Sequence, residues 1–228
     1  MRHLHWFRTD LRLNDNPALT SHAAADSLLC LFLMPKPRPW CNLTGIGAQR
    51  DRFLRESLLE LKKDLLALGQ DLLVLEGSPE LVIPHLVERY GITEVSVSDH
   101  PGWEEKQSVA YLTNKQDIPI QVHRGNTLFS ENDLPMALED LPKVFSSFRR
   151  KVEKLSVRSP KAAPEQLPPP PSVQFDAIPP SMHKPHPGLP LPGGRRAGLR
   201  RVKQFIWDDE SITQYKLTRN CLDGFDGS

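Results

Sequence analysis

The sequence predicts an α/β protein: a doubly wound sheet of five parallel strands, followed by a long proline-rich connector and short C-terminal helices. Three observations lead there. Short apolar runs alternate with segments of helical periodicity as far as residue 123. The earliest runs are continuously apolar, as strands covered on both faces are. Prolines then dominate Ser159 to Gly194, where neither one helix nor a central strand can form.

Leu4 to Phe7 suit a first buried strand, and the charges of Arg8, Asp10 and Arg12 fall on the loop beyond its carboxyl end. In open α/β sheets that edge is where ligands gather. Asp15 or Asn16 can cap a short helix with Pro17 in its first turn. Ser27 to Leu33 is a second strand, with Cys30 in the core. Pro35, Pro37 and Pro39 then force an extended loop to Trp40. Gly47 to Leu68 is the clearest helix: Phe53, Leu54, Leu58, Leu61, Leu65 and Leu68 recur at helical spacing, and Gly69 can end it. Asp71 to Glu76 is a third strand, followed by a helix to Tyr90 that Ser78 caps and Pro79 opens. Glu94 to Ser98 is the fourth strand, Glu104 to Lys115 a helix, and Pro119 to His123 the fifth strand. The alternation makes a Rossmann-like sheet with right-handed crossovers. Leu141 to Lys154 reads as a capped, basic amphipathic helix with a solvated positive face. Helical pieces from Gly194 to Asp208 and from Ser211 to Asn220 close the chain.

Composition narrows the chemistry. A net charge of +1 gives no whole-chain case for nucleic acid, although a local patch stays open. Cys30, Cys41 and Cys221 lack C-x-x-C spacing and fit reduced thiols in a cytoplasmic protein. The start Met-Arg-His-Leu-His has no apolar leader, and no run is long and apolar enough to span a bilayer. Gly45-Ile46-Gly47 is not the dinucleotide fingerprint, because it enters a helix from a proline loop rather than from a strand. His183 and His186 lack the partners a metal site needs, so no metal ligand is expected. Arg8 and Asp10 read as structural charges, and Trp6, Trp40, Trp103 and Trp207 as packing residues. No catalytic residue is assigned.

Several motifs carry a family resemblance. Trp6-Phe7-Arg8-Thr9-Asp10-Leu11-Arg12-Leu13-Asn14-Asp15-Asn16-Pro17-Ala18-Leu19 resembles the opening W-F-R-x-D-L-R-L-x-D-N-x-A-L of the photolyase and cryptochrome family. Arg50 to Leu58 is similar to its R-x-x-F-L-x-E-S-L helix, and Leu72 to Glu80 to its L-L-V-x-x-G-x-P-E turn. Leu141 to Glu153 resembles L-P-x-x-F-x-x-F-R-x-x-V-E of the DASH cryptochrome branch. Gly193, Gly194, Ala197, Leu199, Arg201, Phe205, Tyr215, Thr218, Arg219, Asn220, Leu222 and Gly224 resemble the start of that branch's second domain.

The resemblance implies a division into an α/β antenna domain (1–135), a helix and proline-rich interdomain connector (136–193) and the start of a truncated FAD-binding helical domain (194–228). It implies a blue-light-dependent deoxyribodipyrimidine photo-lyase or DASH-type cryptochrome. FAD would donate an electron to a cyclobutane pyrimidine dimer in UV-damaged, single-stranded DNA, through a domain this chain is expected to lack. The chain would then be inactive alone. Tyr215 and Ser228 match flavin contacts, and Arg219 matches a DNA-backbone contact. Glu105, and second to it Glu104, fall where the family binds an antenna such as methenyltetrahydrofolate. A carboxylate there can accept from a pterin's N–H groups, and a helix start favours acidic side chains in any case. Asp99 to Trp103 depart from the family's usual wording. The alternative is a stand-alone, non-catalytic module that binds a folate, a nucleotide or a partner protein, including in light signalling.

Overall fold

The computed structural model describes residues 1–35, 45–187 and 191–220. The loop to Trp40, with Cys41 and Thr44, therefore lies outside the described residues, as do Cys221, Leu222, Gly224 and Ser228.

Five strands form one parallel sheet: β1 (Arg2–Phe7), β2 (Ser27–Met34), β3 (Leu72–Glu76), β4 (Glu94–Ser98) and β5 (Ile120–His123). Their order is β3-β2-β1-β4-β5. The chain thus winds outward from β1 in one direction, returns, and winds outward in the other. This makes the gap between the carboxyl ends of β1 and β4 the topological switch point.

Alternate side chains of each strand enter two cores. Leu4, Trp6, Leu29, Leu31, Leu73, Val95 and Val97 face α3 (Pro79–Tyr90) and α4 (Trp103–Gln116), meeting Ile83, Leu86 and Leu112. Phe7, Leu28, Cys30, Phe32 and Leu72 pack with Leu19 of α1 (Pro17–Thr20) and with Leu58, Leu61 and Leu65 of α2 (Ala48–Leu66). Both faces are covered, so neighbours such as Leu29 and Cys30 are each fully buried. Each such leucine contributes about 1.5–3 kcal/mol by burial.

Local chemistry sets the helix ends. Asn16, rather than Asp15, caps α1: its side chain accepts from the Leu19 N–H at 3.0 Å. Ser78 occupies the N-cap of α3 but makes no side-chain cap bond. Its own carbonyl already takes the Leu81 N–H at 3.1 Å, leaving the hydroxyl without that donor. Pro84 sits inside α3. A proline there offers no N–H to the carbonyl four residues back. Gln116 Nε2 of α4 donates to that carbonyl, on Glu80, at 3.1 Å.

The basic helix is shorter than the sequence suggests. α5 covers Phe145–Val152 without a side-chain cap, because Val144 at its N-cap has no side-chain acceptor. The final segment comprises α6 (Arg195–Lys203), a π-helical turn Gln204–Asp208, a 3₁₀ turn Ser211–Gln214 and α7 (Tyr215–Thr218). Among the described residues, no helix is long and apolar enough to cross a membrane.

The proline-rich segment is extended, and it packs against the sheet. Leu167 and Ile178 are buried in the α2-side core, while Val173 and Phe175 lie against the other. The Leu28 N–H donates to Pro169 O at 3.0 Å, and the buried Gln70 Nε2 donates to Leu28 O at 2.8 Å and to Pro168 O at 2.5 Å. The segment then returns to α2. Arg52, 3 % exposed, donates to Leu191 O at 2.6 Å. Glu56 and Ser57 accept the N–H groups of Gly193 and Gly194.

Candidate functional site

The loop after β1 closes over the switch point. Asp10 is 1 % exposed. Its Oδ1 accepts the Arg8 N–H at 3.0 Å, and its Oδ2 accepts Ser98 Oγ–H at 2.5 Å and Asn16 Nδ2–H at 3.3 Å. Burial pushes the Asp10 carboxyl up, but His5, the Ser98 hydroxyl and the Arg8 N–H outweigh it and hold the group below the usual carboxylate range. Arg8 lies over the Trp6 ring and donates to the carbonyls of Ser98 and, at 3.2 Å, Glu105. Arg8 and Asp10 therefore tie β1, β4 and α4 together, in keeping with their structural reading.

This tie positions the first turn of α4, which carries Glu104 and Glu105. The Gly102 N–H donates to His100 Nδ1 at 3.0 Å. Glu105 Oε2 lies 3.5 Å from the same nitrogen. A ring nitrogen that accepts from an N–H has no proton for a carboxylate. Glu105 thus keeps acceptor capacity, and its side chain is 42 % exposed. A Cβ at Gly102 would lie 2.1 Å from Glu105 Oε2 and 2.9 Å from His100 Nδ1, so a side chain there would displace the Glu105 carboxylate from this position. Glu104 is exposed beside it. Trp103, read as a packing residue, is instead 74 % exposed, because it opens the helix at the rim rather than facing the sheet.

A second concavity, of about 620 Å³, lies at the carboxyl ends of β2 and β3. Met34, Glu76, Asp51 and Arg55 line it, and Pro179 and His183 of the proline-rich segment roof it. Arg55 is fixed by Asp51 at 3.0 Å and by Pro179 O at 3.2 Å. Sequence reading missed this cavity, because its roof comes from residues more than a hundred positions beyond its floor. Its volume suits a small ligand.

The remaining predicted residues lie elsewhere. Tyr215 begins α7 and is 46 % exposed, and Arg219 follows one turn later, its N–H donating to Tyr215 O at 2.8 Å. They share one turn, apart from the Glu104–Glu105 turn. Ser228 lies outside the described residues. Trp207, also read as packing, is 64 % exposed on the π-helical turn.

Comparisons with known proteins agree with this architecture. The DNA photolyase family profile matches residues 3–171. The chain is 33% identical over 239 residues to a cryptochrome DASH of Gloeobacter violaceus, covering 98% of this chain and 48% of that protein. It is 34% identical over 243 residues to the chloroplastic/mitochondrial cryptochrome DASH of Arabidopsis thaliana, covering 98% and 42%. The chain thus spans about half the length of the curated relatives it matches. Among solved structures, the cryptochrome of Synechocystis sp. PCC6803 superposes with a TM-score of 0.84 at 29% identity, over 100% of this chain and 50% of that one.

Proposed function

The chain belongs to the DNA photolyase family, and on that premise we propose that it is the light-harvesting portion of a DASH-type cryptochrome or photolyase. The whole protein would split pyrimidine dimers in UV-damaged DNA under blue light. The division at residues 135 and 193 belongs to the same reading, as does a cytoplasmic location; the Arabidopsis relative is named for chloroplast and mitochondrion.

The observation that carries the antenna role is Glu105. Its carboxylate is half-exposed beside the switch point, with no proton offered by His100. These are the requirements for accepting hydrogen bonds from the amino and ring N–H groups of a methenyltetrahydrofolate. The exposed Trp103 ring is on the same turn and available for stacking. When bound, the folate supplies a near-ultraviolet absorber that feeds excitation to a flavin. This chain's part is to hold and orient it.

For FAD, the described residues offer less. Tyr215 is exposed at the start of α7, and Arg219 one turn on is free of burial for a DNA phosphate. Both fit a surface awaiting further protein, so no repair step is assigned to these residues alone. FAD, when bound, supplies the light-driven electron.

The experiment is a titration of the 228-residue chain with methenyltetrahydrofolate, read by near-ultraviolet absorption and fluorescence. Saturable binding that Glu105→Ala weakens at least tenfold is expected. Equal binding by the variant would overturn the assignment. The cavity at β2 and β3 favours a second reading, a non-catalytic module that binds a folate or nucleotide there, or that engages a partner in light signalling. Nucleotide binding lost in Arg55→Ala and kept in Glu105→Ala would select it.

A further inference from the structure

His3 and Glu94 are directly paired across β1 and β4, at the amino-terminal end of the sheet, opposite the switch point. His22, just beyond α1, reaches the same spot from above. His3 Nδ1 lies 2.9 Å from His22 Nδ1 and 3.8 Å from Glu94 Oε1. The three ligand atoms all lie within 4.8 Å of one another. Around a tetrahedral zinc with bonds of about 2.0–2.1 Å, ligand atoms stand about 3.4 Å apart. The two measured separations bracket that value.

Hydrogen-bond accounting fixes the His22 tautomer. Ser96 Oγ donates its one proton to Ala18 O at 2.9 Å, since a carbonyl can only accept. The two imidazole nitrogens that also meet Ser96 Oγ, His5 Nδ1 at 2.8 Å and His22 Nε2 at 2.5 Å, must therefore donate. His22 Nδ1 is left as the acceptor of the pair, its lone pair facing His3 Nδ1. Its other nitrogen is anchored to a hydroxyl, the outer partner that orients metal-bound histidines.

We propose that His3, His22 and Glu94 bind a divalent transition-metal cation, zinc by preference, with a fourth position left to water. Two imidazoles and one carboxylate suit a cation of this borderline softness better than magnesium or calcium. The cation takes the place of the proton shared between the two Nδ1 atoms. His22 is fully buried and His3 8 % exposed, while the Glu94 side chain is 30 % exposed and provides the entry path. The site would pin β1, β4 and the α1 loop together. It is independent of the antenna reading.

The test uses the tag-free 228-residue chain. Titration with Co²⁺ should give the intense visible bands of a tetrahedral ion, saturating at one equivalent and displaced by Zn²⁺. Glu94→Gln and His22→Gln should each weaken binding at least 100-fold. Glu94 is partly exposed, so its variant is expected to remain folded by circular dichroism and carries the test if His22→Gln does not fold. Absence of the bands would overturn the proposal. So would bands that survive in folded Glu94→Gln, or that vanish in His183→Ala/His186→Ala.

Discussion

The backbone N–H of Gly193 donates to Glu56 Oε2 at 2.6 Å, and a Cβ built at Gly193 would lie 2.1 Å from the Phe53 carbonyl oxygen. The returning segment thus touches α2 backbone to backbone. Gly193→Ala should destabilise by about 1–3 kcal/mol in urea unfolding. Gly198→Ala, with nothing within 4 Å of the added carbon, should be neutral or stabilising. Glu56→Ala also strips the buried Arg52 of its carboxylate partner at 2.8 Å, leaving it the neutral acceptors Leu191 O and Gln49 Oε1. It should cost up to about 3 kcal/mol, the low end for a buried pair, because Glu56 is 34 % exposed.

Gln116 and Pro84 form a compensating pair. Gln116→Ala removes the donor to the Glu80 carbonyl and should cost about 1 kcal/mol. In a Pro84→Ala background the new backbone N–H can serve that carbonyl instead. The cost of Gln116→Ala should then fall measurably in a double-mutant cycle. Strict additivity would refute the compensation.

Cys30 is fully buried, and desolvation pushes its thiol far above the ordinary value. In the native protein, iodoacetamide should leave the Cys30 peptide unmodified by mass spectrometry, with alkylation appearing only through the unfolding transition. Native-state labelling at Cys30 would contradict this packing.

Asp15 holds the segment beyond α5 to the start of α1 through Arg158 and the Lys161 N–H. The Arg158 hydrogen bonds set the Asp15 carboxyl below the usual range. A lowered native value means the contribution is complete above the unfolded carboxylate pKa, about 3.9, and is lost as pH falls through the native one. The thermal stability of wild type should therefore approach that of Asp15→Asn as pH drops below about 4. A constant difference down to pH 2 would argue against the link.

The sheet was legible in the sequence because its strands advertise themselves. Leu28 to Leu33 can be continuously apolar only where both faces are covered. The helix ends were less legible, as Ser78 illustrates: a hydroxyl at the right position caps nothing when the backbone has already taken its donor. Glu105 was singled out by position alone, and its open acceptor capacity depends on how the Gly102 N–H occupies His100. Leu167 and Ile178 were invisible as core, because proline content predicts extension and says nothing of contact. His3, His22 and Glu94 have no local spacing, and only strand pairing brings them together. Trp103 and Trp207 misled in the opposite sense, since an aromatic type does not reveal whether its helix face has a neighbour.

The course of residues 159–187 across both cores has a practical consequence. It acts as a belt, buckled at Gln70, and the chain beyond it is held again where Arg52 grips Leu191; both buried side chains belong to the body it crosses. A protease that nicks it once would leave the two products clasped together. They would migrate as one species on a native gel and separate only in detergent, so excising the sheet alone would strip the protein of part of its own interior.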